Sequence, residues 1–234
     1  MITAEILVKE NERLKTLIDK KATEIGFADK IIYDGVPFPE KYLSSKYRLL
    51  WILKESYETN NRYGWHVIGG EAKPNPKMHK QGTLRQVCRI SYGILHNCFH
   101  KEVSKANEND FVDVIQQIGW INLNKIAAGK TSPNDLTPQY NIWKDVLKEQ
   151  IETYNPNIII CGNTLQYFSQ DNYFEKPKGI RHSFKEGKQF CYYPLKDRLY
   201  INIHHPSYRF TNWNKRIDEI VNAISDWENN YKSK

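Results

Sequence analysis

The chain has 234 residues, with 34 lysines and arginines against 27 aspartates and glutamates, and a formal net charge of +7. Hydrophobic residues make up 40% and aromatic residues 13%, which excludes an intrinsically disordered chain. No run of about eighteen apolar residues occurs, so a membrane span is not expected. The N-terminal residues mix charged and apolar side chains and lack a signal-peptide core, so we expect a cytoplasmic protein.

The basic charge and the aromatic content together are typical of nucleic-acid-binding proteins. Lysine and arginine neutralise phosphates, and aromatic rings stack on unpaired bases. The range 71–89 is rich in basic residues and contains a single acid, and its first half has the prolines and glycine of a loop. This loop is a candidate phosphate contact, although a charge that serves only solubility explains the composition equally well.

Hydrophobic patterning predicts strands and helices that alternate along the chain. Residues 1–32 are interpreted as an N-terminal helical extension with a helix over 4–27, followed by a turn at 33–40. The remaining predicted elements are a strand at 48–53, helices at 84–100 and 110–117, a strand at 120–123, a helix at 139–154, strands at 157–161 and 198–203, and a helix at 213–227. The range 171–197 is ambiguous, and a hairpin around 186–187 is one interpretation of it.

Short apolar strands separated by helices predict one domain, residues 1–234, of the α/β class. The expected architecture is a three-layer α/β/α domain with a mostly parallel, four-stranded central sheet. Ligands bind beyond the carboxyl ends of the strands in such sheets. Polar residues follow three of the four predicted strands, and the four ranges to consider are 54–57, 122–125, 161–163 and 204–207. The sequence therefore predicts a site at this edge of the sheet.

Four motifs, in order at these strand ends, resemble the uracil-DNA glycosylase superfamily over residues 33–212. LLWILKESYE stands where the family has its first motif, and WINLNK stands where it has an asparagine after a strand. NPNIIICG corresponds to the family's third strand, and INIHHPSYR contains its HPS motif. The first motif lacks the glycine and proline of the family's GQDPYH or GEAPG. The four cysteines, at 88, 98, 161 and 191, do not have the spacing of the iron–sulphur branch. The resemblance implies a divergent member without a cluster, metal or other cofactor.

The resemblance implies a DNA glycosylase that flips a pyrimidine-type base and hydrolyses its bond to the sugar. His205 takes the place of the histidine that donates a hydrogen bond to the base oxygen as negative charge develops there. Glu55 takes the place of the carboxylate that stabilises the sugar cation and orients the attacking water. Asn122 would bind the base edge, with Asn124 as the fallback assignment.

Further contacts are assigned to aromatic and polar residues near the same motifs. Tyr57 and Trp65, with Tyr63 as another candidate, are flat partners for the flipped base. Ser207 would hold a phosphate, and Tyr208 or Arg209 would enter the vacated stack. The complete set of predicted DNA contacts is Lys54, Lys125, Ser207, Tyr208 and Arg209. DNA is thus the expected partner of a monomeric protein with no membrane association.

Several alternatives remain open on the sequence alone. The excised base is uracil, the family's default, or a C5-modified cytosine, and excision of glucosylated hydroxymethylcytosine would indicate anti-phage defence. A lysine at the site edge, Lys54 or Lys125, would permit an additional lyase activity. The rival from another class is a non-catalytic nucleic-acid-binding module with the same fold. Taken singly, Glu55 also fits a surface acid, Asn122 a turn cap and Trp65 a packing residue.

Overall fold

The computed structural model of the chain describes residues 2–56, 82–128, 133–174 and 190–232. The helices of these ranges are α1 (Ala4–Glu24), α2 (Pro39–Ser44), α3 (Gly82–His96), α4 (His100–Val103), α5 (Glu108–Gln116), α6 (Thr137–Tyr154), α7 (Leu165–Gln170) and α8 (Trp213–Asn230). The strands are β1 (Leu49–Leu53), β2 (Gly119–Asn122), β3 (Ile158–Gly162), β4 (Cys191–Pro194) and β5 (Leu199–Ile203). Within these ranges, no helix is both long and apolar enough to span a bilayer.

The strands pair into one sheet in the order β2-β1-β3-β5-β4. The neighbours β1 and β2, β1 and β3, and β3 and β5 are parallel, whereas β4 runs antiparallel to β5. The prediction of an α/β protein with a mostly parallel sheet is therefore confirmed. Parallel neighbours bring the carboxyl ends of β1, β2, β3 and β5 to one edge of the sheet, where ligands bind in folds of this class.

The expected number of strands was wrong, because the described residues form five strands and not four. The additional strand, β4, is four residues long, ends on Pro194 and lies at the edge of the sheet. Proline is tolerated at an edge but weakens a sequence signal for a strand. The chain turns back between β4 and β5 at residues 195–198, where the Leu195 N–H donates to the Arg198 carbonyl at 2.8 Å. The predicted turn at 186–187 lies outside the described residues.

Two hydrophobic cores, one on each face of the sheet, account for the near-continuous apolar character of the strands. Along β1, Leu49, Trp51 and Leu53 belong to the core beneath α3, α5 and α8. The alternate residues Leu50 and Ile52 belong to the core beneath α1, α6 and α7. Successive side chains of a strand point to opposite faces, so both faces of this strand are buried. Helices thus cover the sheet on both sides.

The N-terminal helix is part of the second core and not an appendage to it. Leu7, Leu14 and Ile18 recur at helical spacing on one face of α1, and all three are fully buried. The Thr3 side chain caps the helix by accepting a hydrogen bond from the Ile6 N–H at 3.3 Å. The predicted helical extension over residues 1–32 thus contains a helix whose apolar face packs into the core that α6 also lines.

The segment between α1 and α2 runs along the edge of β2 that has no neighbouring strand in the sheet. Bridges join Ile31 to Ile126 and Gly35 to Trp120, both antiparallel. Such a cover protects the unpaired backbone groups of an edge strand. A Cβ at Gly119, the first residue of β2, would lie 2.9 Å from the Val36 Cγ2, so only glycine permits this close approach. The sequence predicted a turn over 33–40; in the structure Asp34, Gly35 and Val36 of this range are buried, and α2 begins at Pro39.

Candidate functional site

The loops that follow β1 and β2 continue side by side beyond the ends of the two strands. Leu53 pairs with Asn122 in the parallel register. Past that point, the Leu123 N–H donates to the Leu53 carbonyl at 2.9 Å, and the Asn124 N–H donates to the Lys54 carbonyl at 3.0 Å. The extended pairing places Glu55 beside the two asparagines of the second loop.

Glu55 is buried, with 8% of its surface exposed. Its Oε2 accepts a hydrogen bond from the Asn124 Nδ2 at 3.2 Å. Its Oε1 is buried and has no hydrogen-bond partner among the described residues. A buried polar atom without a partner is costly, so this oxygen is a candidate to bind a water or a ligand group. The alternative that Glu55 is an ordinary surface acid is excluded by this burial.

The two asparagines of the second loop have different tasks in this structure. Asn124 is occupied by the protein, because its Oδ1 accepts from the Ile126 N–H at 3.1 Å while its Nδ2 donates to Glu55. Among the described residues, the Asn122 side chain makes one long hydrogen bond, from its Nδ2 to the Ser56 Oγ at 3.4 Å. The carboxamide of Asn122 is therefore the better placed of the two to bind a ligand.

His205 follows β5 and is oriented by the serine two residues later. Its Nδ1 lies 2.8 Å from the Ser207 Oγ and 3.3 Å from the Ser207 backbone nitrogen, which is a donor. An Nδ1 that accepts from a backbone N–H carries no proton, so the network assigns the proton of the neutral ring to Nε2. Burial, together with the Lys54 cation, lowers the pKa of His205 to about 4. The ring is thus neutral at pH 7 and presents an Nε2–H donor.

Gly162, at the end of β3, lets the ends of β1 and β5 approach each other. A Cβ at this position would lie 3.0 Å from the Leu53 Cδ2, 3.2 Å from the Pro206 Cδ and 3.6 Å from the His205 Cδ2. The first two distances are shorter than ordinary van der Waals contacts. The absence of a side chain therefore brings the loop that carries Glu55 close to the loop that carries His205.

The prediction that Lys125 contacts DNA was wrong. The residue is fully buried, and its Nζ lies 2.7 and 2.9 Å from the two carboxylate oxygens of Asp34. Burial lowers the pKa of its ammonium group, and the Asp34 carboxylate opposes that shift. A cation that is committed to a buried partner cannot neutralise a phosphate at the surface. Sequence reasoning missed Asp34 because an Asp before Gly is typical of a turn.

The remaining predicted DNA contacts lie at or near the surface of the same edge. Lys54 is half-buried near His205, whereas Ser207, Tyr208 and Arg209 are exposed. The Tyr208 ring stacks on His204, with centroids 4.5 Å apart and an angle of 2° between the planes. These positions are compatible with the predicted contacts but do not test them.

Phe210 is a surface residue that the sequence reasoning did not single out. It is 87% exposed, and its ring lies edge-on to that of Tyr208 at 5.6 Å between centroids. An exposed aromatic pair beside a basic residue, here Arg209, is the combination that stacks on unpaired bases and neutralises their phosphates. The signal was present in the sequence, as a phenylalanine in the polar loop after the HPS motif.

Three predicted aromatic contacts, Tyr57, Tyr63 and Trp65, lie outside the described residues, as do residues 71–81 of the basic range 71–89. Among the residues that the structure does describe, no three histidine, cysteine or carboxylate side chains are grouped as metal ligands would be. The four cysteines are free thiols, and burial raises the pKa of Cys88 and Cys161 to about 12.

No family model matches the sequence, and no curated protein matches it at a significant level. The functional conclusion therefore depends on the residues of the site and on their geometry.

Proposed function

We propose that the protein is a monofunctional DNA glycosylase, with a single uracil-DNA glycosylase-like domain, that excises a pyrimidine-type base and leaves an abasic site. The observation that carries the proposal is that a carboxylate and a histidine follow strands that end at the same edge of the sheet. Glu55 presents a buried carboxylate oxygen that has no partner among the described residues, and His205 presents a neutral ring with its donor on Nε2. The four motifs that resemble the superfamily assign the reacting roles to these same two residues.

Hydrolysis of a base–sugar bond creates two opposite charges, and the two groups suit one charge each. As the bond between C1′ and the base nitrogen breaks, electrons move to the base and the sugar becomes cationic. The Nε2–H of His205 donates to the base oxygen that gains negative charge. The Glu55 carboxylate stabilises the sugar cation and takes a proton from the water that attacks C1′. The base leaves as an anion that takes up a proton from solvent, Glu55 releases to solvent the proton it took from the water, and the products are the free base and an abasic sugar.

A neutral histidine suits this role better than a charged one would. Burial and Lys54 hold the pKa of His205 at about 4, so the ring does not transfer a proton to the substrate before the bond breaks. A donor that is already fixed in place stabilises developing charge without the cost of reorienting at that moment. Ser207 supplies this fixation by its two contacts to Nδ1.

The Asn122 carboxamide explains the choice of a pyrimidine edge. Its oxygen and nitrogen pair with N3–H and O4 of uracil, and the reversed amide pairs with N3 and the amino group of cytosine. The substrate base is accordingly uracil or a C5-modified cytosine, and a glucosylated hydroxymethylcytosine would indicate a role in defence against phages. Of the two lysines that would permit lyase activity, Lys125 is buried in an ion pair, which leaves Lys54 as the remaining candidate.

The test separates turnover from DNA binding in Glu55→Gln and His205→Ala variants. We expect each variant to form abasic sites at least about 100-fold more slowly, the usual size of general-base or oxyanion effects. We expect DNA affinity to stay within about threefold, because phosphate contacts dominate it. Matched controls are Glu5→Gln and His96→Ala, which replace exposed residues of the same types. Equal turnover in all four variants would contradict the proposal, and binding without turnover in the wild type would favour a non-catalytic module.

A further inference from the structure

A buried ionic network adjoins the base-binding loop and has no part in the reaction described above. Asp34 and Lys125 are fully buried, and Lys125 donates to both oxygens of the Asp34 carboxylate. Lys125 also donates to the Gln150 Oε1 at 2.7 Å. In return, the Gln150 Nε2 donates to the Asp34 Oδ1 at 2.9 Å and to the Asp34 carbonyl at 3.2 Å. The network thus satisfies every hydrogen of the Lys125 ammonium group.

Stability alone does not account for this network. Removing two charges from water is expensive, and well-packed apolar residues of the same volume often give an equally stable protein. A role in positioning the site is indicated by the contact between Asp34 and Asn122. The Asp34 Oδ2 accepts a hydrogen bond from the backbone N–H of Asn122 at 2.7 Å. A charged acceptor makes this bond stronger than one between neutral groups.

The backbone around Asp34 holds the same loop from both sides. The bridges from Ile31 to Ile126 and from Gly35 to Trp120 flank the bond between Asp34 and Asn122. Between them, the Ile32 N–H donates to the Lys125 carbonyl at 2.8 Å. The position of Asn122 is therefore determined by the segment 31–36 as well as by its own strand, β2.

We propose that Asp34 is a positioning residue that fixes Asn122 against the substrate base, and that Lys125 and Gln150 hold its carboxylate for this purpose. The assignment rests on the proposed function, in which Asn122 selects the base. Asp34 does not touch the substrate. It acts by supplying the acceptor that sets the backbone of Asn122, and thereby the direction of the carboxamide that forms hydrogen bonds with the base edge.

Two variants without the ion pair test whether the acceptor is what matters. Asp34→Asn with Lys125→Met removes both charges but keeps a side-chain oxygen that accepts from the Asn122 N–H. Asp34→Leu with Lys125→Met removes the charges and the acceptor. We expect the first variant to keep kcat within about threefold, and the second to lose about tenfold or more in kcat with KM for the DNA unchanged, because misplacement of a binding group slows the chemical step.

The readout is single-turnover and steady-state excision of the base that the wild type removes, with thermal unfolding as a check on folding. In an Asn122→Ala background, the acceptor-free variant should cause no further loss of kcat, since its effect passes through Asn122. Equal kcat values in the two double variants, or a full additional loss in that background, would overturn the assignment. If the leucine variant does not fold, Asp34→Ala with Lys125→Met is the second acceptor-free variant. A wild-type protein without excision activity would overturn the proposed function itself, and this assignment with it.

Discussion

His205 is the residue whose chemistry is most directly set by its surroundings. Burial and the Lys54 cation lower its pKa to about 4, and Ser207 holds its Nδ1 as an acceptor. The lowered pKa also has a consequence for stability. Between pH 6.5 and about 4, the unfolded histidine binds a proton that the folded one does not, so this group makes the protein less stable as the pH falls through that range.

We predict that NMR titration of the His205 ring will show a midpoint near pH 4 in the wild type, well below the ordinary value of a histidine. Replacing Lys54 by methionine should raise that midpoint, because it removes a nearby positive charge. The midpoint should nevertheless stay below the ordinary value, since burial is the larger cause. An ordinary midpoint for His205 would contradict the assignment of a neutral donor.

The residues around His205 show what a sequence reveals about a site and what it does not. The positions of Glu55, Asn122 and His205 at the strand ends were predictable because each lies at or just after the end of a recognisable apolar strand. Asp34 was not predictable, because its partners Lys125 and Gln150 are 91 and 116 positions away along the chain. Only the folded structure brings these side chains together.

At the scale of elements, the site depends on how closely neighbouring strand ends approach. Gly162 is the contact point between the ends of β1 and β5, as its short distances to Leu53 and Pro206 show. The long helices and apolar strands were predictable from periodicity, because their patterns extend over many residues. The short edge strand β4 was missed because four residues that end on proline give little pattern. The role of Gly162 was not predictable either, because it depends on contacts with Leu53 and Pro206, which lie on other strand ends.

We predict that Gly162→Ala will slow excision about tenfold while destabilising the protein by about 1–3 kcal/mol. The new methyl group would press on Leu53 and on Pro206, and the shift of Pro206 would displace His205. The measurement is kcat for base excision, together with the free energy of unfolding in denaturant. Gly82→Ala is the matched control, since a Cβ there meets nothing within 4 Å. Unchanged kcat in Gly162→Ala would contradict this account of the strand ends.

At the scale of the whole molecule, two cores lie on either side of one sheet, and α1 packs into the second of them. The apolar face of α1 packs into the second core, and the segment that follows it covers the edge of β2 and supplies Asp34. The N-terminal region thus supports both the fold and the site. The sequence indicated the helix by its periodicity, but it did not indicate which surface the helix covers.

We predict that Leu14→Ala will lower the free energy of unfolding by about 2–5 kcal/mol, the usual cost of truncating a fully buried leucine. Unfolding should remain a single transition, since α1 belongs to the same core as the sheet. Ile6→Ala on the exposed side of the same helix should cost far less, because 47% of Ile6 is already exposed. A separate early transition for α1, or equal effects of the two substitutions, would contradict this integration.

The central claim is that Glu55 and His205 hydrolyse the bond between a pyrimidine-type base and its sugar. The most direct measurement is abasic-site formation, read as strand cleavage in alkali, on three DNAs that contain uracil, glucosylated hydroxymethylcytosine or only normal bases. We predict cleavage of a DNA with one of the two altered bases, no cleavage of normal DNA, and loss of cleavage in His205→Ala and Glu55→Gln. Absence of cleavage in all three DNAs, with the protein folded and bound to them, would contradict the claim.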